Sequence, residues 1–223
     1  MKIVTVSVRV RNIAEATAFY AEVLGLPIGR NHRLGAVTIG ATRLELVEDA
    51  ASEGHHHFAI TIPSNKFLQA KTWLQERTDL IGAPDADEFE CSPLWNARSV
   101  YFNGPDGAVL EFIVRRDLSN ATAGPFTSAD LLCVSEVGVA MPDVPATVAK
   151  LHSDAQVAPY GDSFDSFAPV GDADGLLILV APGRAWFPTA DRVVRESPVA
   201  IAAVGARPGT YALGPDCLLT VLR

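Results

Sequence analysis

Two stretches of this chain repeat one order of predicted elements about 52 residues apart, and this repeat constrains the fold more than any other feature. Apolar residues alternate from Ile3 to Val10, which indicates a half-buried strand, and residues 13–24 follow with helical spacing. Residues 57–62 and 67–74 repeat that strand and that helix. A repeat of this length predicts an array of one supersecondary unit.

Each of the two units ends in further predicted strands. In the first unit these are Ala36–Ile39 and Arg43–Val47. In the second they are Ser99–Phe102 and Val109–Val114, joined by the turn-forming residues Asn-Gly-Pro-Asp-Gly. The second unit also carries an additional stretch, residues 79–96, that we interpret as a loop over a site or a surface insertion.

The second half of the chain repeats the pattern in weaker form. Residues 118–130 are rich in Ser, Thr, Asn, Ala and Gly, and they predict a boundary between residues 1–117 and residues 132–223. Residues 134–180 predict a third unit. Residues 198–223 predict a truncated fourth unit whose first strand and helix are shortened or lost.

Composition and charge exclude several classes of protein. A formal net charge of −8 argues against binding to a nucleic-acid backbone, which requires clustered Lys and Arg. The three cysteines form no Cys-x-x-Cys pair, so neither a disulfide framework nor a thiolate zinc site is indicated. No apolar run approaches the roughly 20 residues of a membrane helix. We therefore expect a cytoplasmic protein with a small-molecule substrate or ligand, as a monomer or homodimer.

Two motifs resemble those of a known family. The segment Ala18–Leu26 resembles the FYxxVLGL signature, and Asn103–Phe112 resembles the PDGxxLE ending, of the vicinal oxygen chelate superfamily. That group includes glyoxalase I, the bleomycin-resistance proteins and the extradiol dioxygenases. The resemblance implies an α+β fold of tandem βαβββ modules, with two paired modules followed by a degraded second pair.

The resemblance also implies a metal site. In this family the ligands come from the first and last strands of each module, which here correspond to Thr5, Glu45, His57 and Glu111. Thr5 stands where the family commonly has His or Gln. The implied cofactor is a divalent ion (Zn, Ni, Mn, Co or Fe), with Glu111 or Glu45 as the catalytic base. The alternation of each strand independently predicts that all four side chains face inward.

Other interpretations of the same residues stay open. Glu45 could instead form an ion pair with Arg9 or Arg43, with no metal bound. Those two arginines, together with Tyr101 and Trp95, are the candidate substrate-binding residues. Neighbouring His55 and His56 are interpreted as a surface cluster. The third unit has Glu136 at the position of His57 but assembles no ligand set of its own.

Two functions follow from these alternatives. The first is a divalent-metal-dependent lyase, isomerase or dioxygenase acting on a small oxygen-rich substrate. An iron dioxygenase is disfavoured, because it requires two histidines and one carboxylate, and only His57 lies at a ligand position. The second is a metal-free protein that sequesters a drug-like ligand, as the bleomycin-resistance members do.

Overall fold

The computed structural model describes residues 1–31, 34–53, 55–83 and 85–223, except for the side chains at positions 30 and 31. The elements of the first unit are β1 (Lys2–Val10), α1 (Ile13–Glu22), β2 (Ile28–Asn31), β3 (Leu34–Ile39) and β4 (Thr42–Glu48). Those of the second are β5 (His57–Thr61), α2 (Phe67–Gln75), β6 (Leu80–Ile81), β7 (Phe89–Glu90), β8 (Ala97–Asn103) and β9 (Val109–Arg115).

The second half of the chain contains the remaining elements. The third unit consists of β10 (Cys133–Ala140), α3 (Val144–Lys150), β11 (Phe167–Asp172) and β12 (Gly175–Val180). A π-helical turn, Leu151–Ala155, extends α3. The last strands are β13 (Val199–Val204), β14 (Gly209–Ala212) and β15 (Cys217–Val221). Residues 198–223 are all described and contain no helix, so the fourth unit keeps its first strand and lacks its helix.

Four units are recognisable because the first and last strands of each unit pair in parallel. The pairs are β1 with β4, β5 with β9, β10 with β12, and β13 with β15. The predicted α+β fold of tandem βαβββ modules is therefore confirmed. The local predictions also hold for the first helix, since Asn12 Oδ1 accepts bonds from the backbone N–H groups of Ala14 and Glu15 and caps α1.

The units combine in a different order from the one expected. One sheet has the strand order β14-β15-β13-β1-β4-β3-β2, and the other has β11-β12-β10-β5-β9-β8-β6. The first unit thus shares a sheet with the fourth, and the second unit shares a sheet with the third. The four implied ligand positions of the first two units therefore lie on two different sheets. The boundary between residues 117 and 132 stays a prediction, but strand pairing crosses it twice.

The main core lies between the two sheets and includes the buried faces of the helices. Val6, Val8, Ile201 and Ala203 of the first sheet contribute to the same apolar cluster as Phe58, Ile60, Val137 and Val139 of the second. Burial of this apolar surface is the main force that holds the sheets together.

One buried hydroxyl also links the two sheets through the backbone. Thr42 Oγ1 donates to the carbonyl oxygen of Ile3 at 2.8 Å and accepts the N–H of Val134 at 3.0 Å. The adjacent turn lies against the chain that leads into β10. Gly40 has a φ of +53°, and a Cβ there would lie 1.9 Å from the carbonyl oxygen of Leu132. Only glycine fits this turn.

A buried lysine fixes the segment that connects the two halves. Lys66 Nζ donates to the carbonyl oxygens of Ala123 and Pro125, at 3.1 and 3.3 Å, and to Asp130 Oδ1 at 2.8 Å. Burial raises the pKa of Asp130, but the bonds from Lys66 and from the Thr127 N–H outweigh it, so the pKa lies below its ordinary value. The 118–130 segment is therefore docked on the second unit through charge-assisted bonds.

We expect Lys66→Met to lower the free energy of unfolding by about 3–5 kcal/mol, because it leaves the Asp130 carboxylate buried without its charged partner. Urea denaturation at pH 7 measures this loss. Lys150→Met is the matched control, since the Lys150 side chain is 46% exposed and pairs with the exposed Asp154. Equal losses in the two variants would contradict the assigned role of Lys66.

Candidate metal centre

Three buried side chains converge on the face of the second sheet that points away from the main core. They are His57 of β5, Glu111 of β9 and Glu136 of β10, and each offers a ligand atom within 4.8 Å of the other two. His57 Nε2 lies 3.7 Å from Glu111 Oε2. One imidazole and two carboxylates at these separations could coordinate one divalent ion.

The strand register brings the two carboxylates together over a small residue. Ala59 of β5 is paired with Glu111 on one side and with Glu136 on the other. Ala59 is fully buried and presents only a methyl group, so the longer glutamate side chains extend over it. His57 precedes Ala59 by two residues and therefore shares its face of the sheet.

A β-bulge in β10 turns Glu136 toward this face. Val134 pairs with Ile60 of β5, but Glu136 pairs with the next residue, Ala59, so Ser135 is an extra residue in β10. Without it, Glu136 would oppose Phe58, whose side chain lies in the main core. The Ser135 hydroxyl is not left unpaired, because it accepts a bond of 2.7 Å from Thr61 Oγ1.

The tautomer of His57 leaves one ring nitrogen free to act as a ligand. His57 Nδ1 lies 3.0 Å from the carbonyl oxygen of Val109, which can only accept, so Nδ1 carries the proton. The lone pair of Nε2 then faces Glu111. Burial lowers the pKa of His57 to about 4, so the ring is neutral at pH 7. A carbonyl that fixes the tautomer in this way is typical of metal-bound histidines.

Both carboxyls have raised pKa values, and they differ in their contact with Arg115. Burial, followed by the charge of Glu136, raises the pKa of Glu111 well above its ordinary value, although Arg115 opposes this. Burial also raises the pKa of Glu136, but Glu136 is bonded directly to the guanidinium of Arg115. With both glutamates ionised, these three groups carry a net charge of −1. A divalent cation would offset that charge, so the residues present fit such an ion.

His57, Glu111 and Glu136 form the floor of a cavity of about 420 Å³ with largely aromatic walls. The aromatic lining residues are Phe89, Trp95, Tyr101, Phe164, Phe167, Trp186 and Phe187. They come from the 79–96 insertion, from β8 and β11, and from loops of the third unit. A polar floor under apolar walls is the usual composition of a small-molecule site.

The structure brings together only half of the predicted site residues. His57, Glu111, Tyr101 and Trp95 line this cavity. Thr5, Glu45, Arg9 and Arg43 lie on the other sheet, in β1 and β4, so the expected convergence of Glu45 and Thr5 with His57 is wrong. The physical reason is the strand order, which places β10 beside β5 and β13 beside β1.

The equivalent positions of the first sheet lack this ligand set. Ser7 takes the place of Ala59 and is paired with Glu45 on one side and with Ala200 on the other. Glu45 Oε1 accepts a bond of 2.9 Å from Arg43 Nε, as the ion-pair alternative predicted. His56, expected at the surface, is buried with Nε2 2.9 Å from the Arg9 carbonyl oxygen.

Sequence reasoning missed three residues around the site: Glu136, Arg115 and Trp186. Glu136 was recognised at the position of His57 in the third unit, which was expected to assemble no ligand set of its own, but its approach to His57 and Glu111 of the second unit was not foreseen. A search for a carboxylate in the first strand of every unit would have identified it. The fourth ligand position, by the pairing of Gly138 with β12, is the apolar Ile178. The centre therefore offers three protein ligands.

Comparison with known proteins agrees with this architecture. Residues 2–112 match the model of the Glyoxalase/Bleomycin resistance protein/Dioxygenase superfamily. A Bacillus subtilis protein with a provisional dioxygenase assignment superposes with a TM-score of 0.60 at 17% identity, over 91% of this chain and 70% of that one. A variant of glyoxalase I from Zea mays gives 0.59 at 14% identity, over 99% and 93%. No curated protein matches the sequence significantly.

The free energy of unfolding of the metal-free protein should depend on pH through the buried carboxyl of Glu111. Because the pKa of Glu111 is raised in the folded state, folding takes up a proton, and stability falls as pH rises from 4.5 through that pKa. The lowered pKa of His57 gives the opposite slope, but only between about 4 and 6.5. Above pH 6.5, Glu111→Gln should therefore flatten the decline that the wild type shows.

Thermal melts of EDTA-treated protein between pH 6.5 and 9 measure this difference. Glu45→Gln makes the same chemical change on the other sheet, at a side chain that is 27% exposed, and should keep the wild-type slope. Identical slopes in wild type and Glu111→Gln would contradict the assigned proton uptake.

Proposed function

The chain belongs to the Glyoxalase/Bleomycin resistance protein/Dioxygenase superfamily, and from this premise we propose that it is a divalent-metal-dependent lyase or isomerase. Its substrate is a small oxygen-rich molecule held in the aromatic cavity above His57, Glu111 and Glu136. The observation that carries the proposal is the convergence of these three ligand atoms within 4.8 Å, at buried positions, on the floor of that cavity.

The three candidate ligands favour certain divalent ions and Lewis-acid chemistry. Two carboxylates and one imidazole suit Zn, Ni, Mn or Co, whereas a non-haem iron dioxygenase uses two histidines and one carboxylate. When bound, the ion would supply Lewis-acid stabilisation of negative charge developing on a substrate oxygen. Lyase or isomerase chemistry is therefore favoured over oxygen activation.

Residues around the candidate ion would supply the general base and hold the candidate ligands in position. Glu111 is the candidate general base, because burial raises its pKa and makes its carboxylate a stronger proton acceptor than an ordinary glutamate. Arg115 holds Glu136 by a direct bond and favours its ionised form. The Val109 carbonyl keeps the His57 proton on Nδ1. The aromatic walls exclude water from these groups.

A second function has its own supporting observation. Arg115 already offsets the charge of Glu136, so the cavity could bind an apolar ligand without a metal. The chain would then sequester a ligand, as the bleomycin-resistance members were expected to do. Metal content separates the two hypotheses.

We expect natively purified wild type to bind one divalent ion per chain. Glu136→Gln and His57→Ala should each lower the affinity for that ion at least tenfold. Zn, Ni, Mn and Co should raise the melting temperature of wild type by mass action and leave that of His57→Ala unchanged. Elemental analysis and thermal melts measure both effects.

Glu45→Gln is the discriminating control, since Glu45 belongs to the other sheet and should not affect metal affinity. Loss of metal in Glu45→Gln but not in Glu136→Gln would contradict the ligand set. An exhaustively dialysed wild type that shows no thermal shift with any of these ions would overturn the metalloenzyme and favour sequestration.

A further inference from the structure

The loop between β12 and β13 lines the cavity with residues 184–187 and is anchored on the second unit. Within the loop, the backbone N–H of Trp186 donates to the Arg192 carbonyl oxygen at 2.9 Å. The side chain of Arg192 then reaches the β8–β9 turn, where it donates to the Gly107 carbonyl oxygen at 3.0 Å and to Asn103 Oδ1 at 2.6 Å. Arg192 thus ties the loop to the β8–β9 turn and, through its bond to the Trp186 backbone, helps to fix the position of Trp186.

Trp186 lies directly beside the candidate metal ligands. Its ring stacks on His57 with centroids 5.3 Å apart and an interplanar angle of 28°. Gly138 of β10 makes this approach possible, because a Cβ at that position would lie 2.5 Å from Cη2 of the indole. The indole therefore occupies space on the sheet that a side chain at position 138 would otherwise fill.

The polar group of this indole has no partner. Trp186 is 6% exposed, and its Nε1 is buried without a hydrogen-bond partner among the described residues. Buried tryptophan N–H groups normally find an acceptor, and leaving one unpaired costs about 1–3 kcal/mol. Because Trp186 lines the cavity, an oxygen of a bound molecule could supply the missing acceptor.

Three further aromatic rings of the cavity lining pack edge to face in one cluster. Phe89, Tyr101 and Phe187 have pairwise centroid distances of 5.6, 4.9 and 5.4 Å, and each pair is T-shaped. All three rings line the cavity, and Phe187 is 57% exposed. A flat ring bound in the cavity could pack against aromatic surface of this cluster and of the indole.

We propose that the cavity selects a substrate whose oxygen atoms are attached next to a planar aromatic ring, with Trp186 as the residue that determines this specificity. The ring packs against the indole and the three-ring cluster, and Trp186 Nε1–H donates to a substrate oxygen. This inference rests on the proposed function for identifying the cavity as the substrate site, and it adds the substrate class.

Two probes that differ only in the ring test the preference. 2-Hydroxyacetophenone and hydroxyacetone carry the same hydroxyl and ketone, attached to a phenyl group in one and a methyl group in the other. Calorimetric titration of EDTA-treated and of zinc-loaded wild type should give at least about tenfold tighter binding of the phenyl compound, from the additional apolar area buried.

Trp186→Phe isolates the hydrogen bond, since it keeps an aromatic ring and removes the N–H. It should weaken binding of 2-hydroxyacetophenone about fivefold, the value of one net hydrogen bond, and leave binding of ethylbenzene unchanged. Trp73→Phe is the matched control, because Trp73 packs on Phe112 and Phe126 outside the cavity. Circular dichroism checks that both variants fold.

The outcomes separate this inference from the proposed function. Zinc binding without a preference for the phenyl probe overturns the substrate class and leaves the metalloenzyme standing. A phenyl preference in a protein that takes up no metal supports the aromatic site and overturns the metalloenzyme. Binding of 2-hydroxyacetophenone that Trp186→Phe does not weaken overturns the role of the indole N–H.

Discussion

The candidate site depends on one strand pairing, the antiparallel contact of β5 with β10. This pairing joins the second and third units into one sheet, and the additional residue Ser135 shifts its register by one. As a result Glu136 opposes Ala59 and faces the cavity, rather than opposing Phe58 and facing the core. A bulge that redirects a side chain in this way has a large effect, because successive residues of a strand point to opposite faces. Without it, His57 and Glu111 would have no third ligand.

Two buried carboxylates side by side destabilise the folded protein unless a proton or a cation neutralises their charge. Glu111 and Glu136 are both buried, and among the described residues Arg115 is the cation that is bonded to this pair, through Glu136. Burial raises the pKa of each carboxyl, and Glu111 is raised further by its neighbour. Such a site can take up a proton or a cation, and these two possibilities distinguish the metal-free from the metal-bound protein. Paired carboxylates held at different pKa values are a common basis for acid–base catalysis.

The first sheet has the same arrangement of strands but different side chains at the equivalent positions. Its equivalent positions are Thr5, Glu45 and Ala200, which provide one carboxylate, and that carboxylate is bonded to the neighbouring Arg43. The pairing of units is the same in both sheets, so the difference lies in side chains alone. One chain thus contains two versions of one architecture, of which the second sheet carries the buried candidate ligands and the aromatic cavity.

The sequence by itself determined the local structure and half of the site. Alternation in β1, the cap at Asn12 and the turn at residues 103–107 are short-range features, and each is encoded by a few adjacent residues. The inward position of His57 and Glu111 followed from strand alternation for the same reason. Only the tertiary structure decided which units share a sheet, since any first strand offers the same backbone edge to another. That choice excluded Thr5 and Glu45, brought in Glu136 through a bulge that interrupts the alternation, and placed Trp186 over His57 by contacts between residues far apart in the chain.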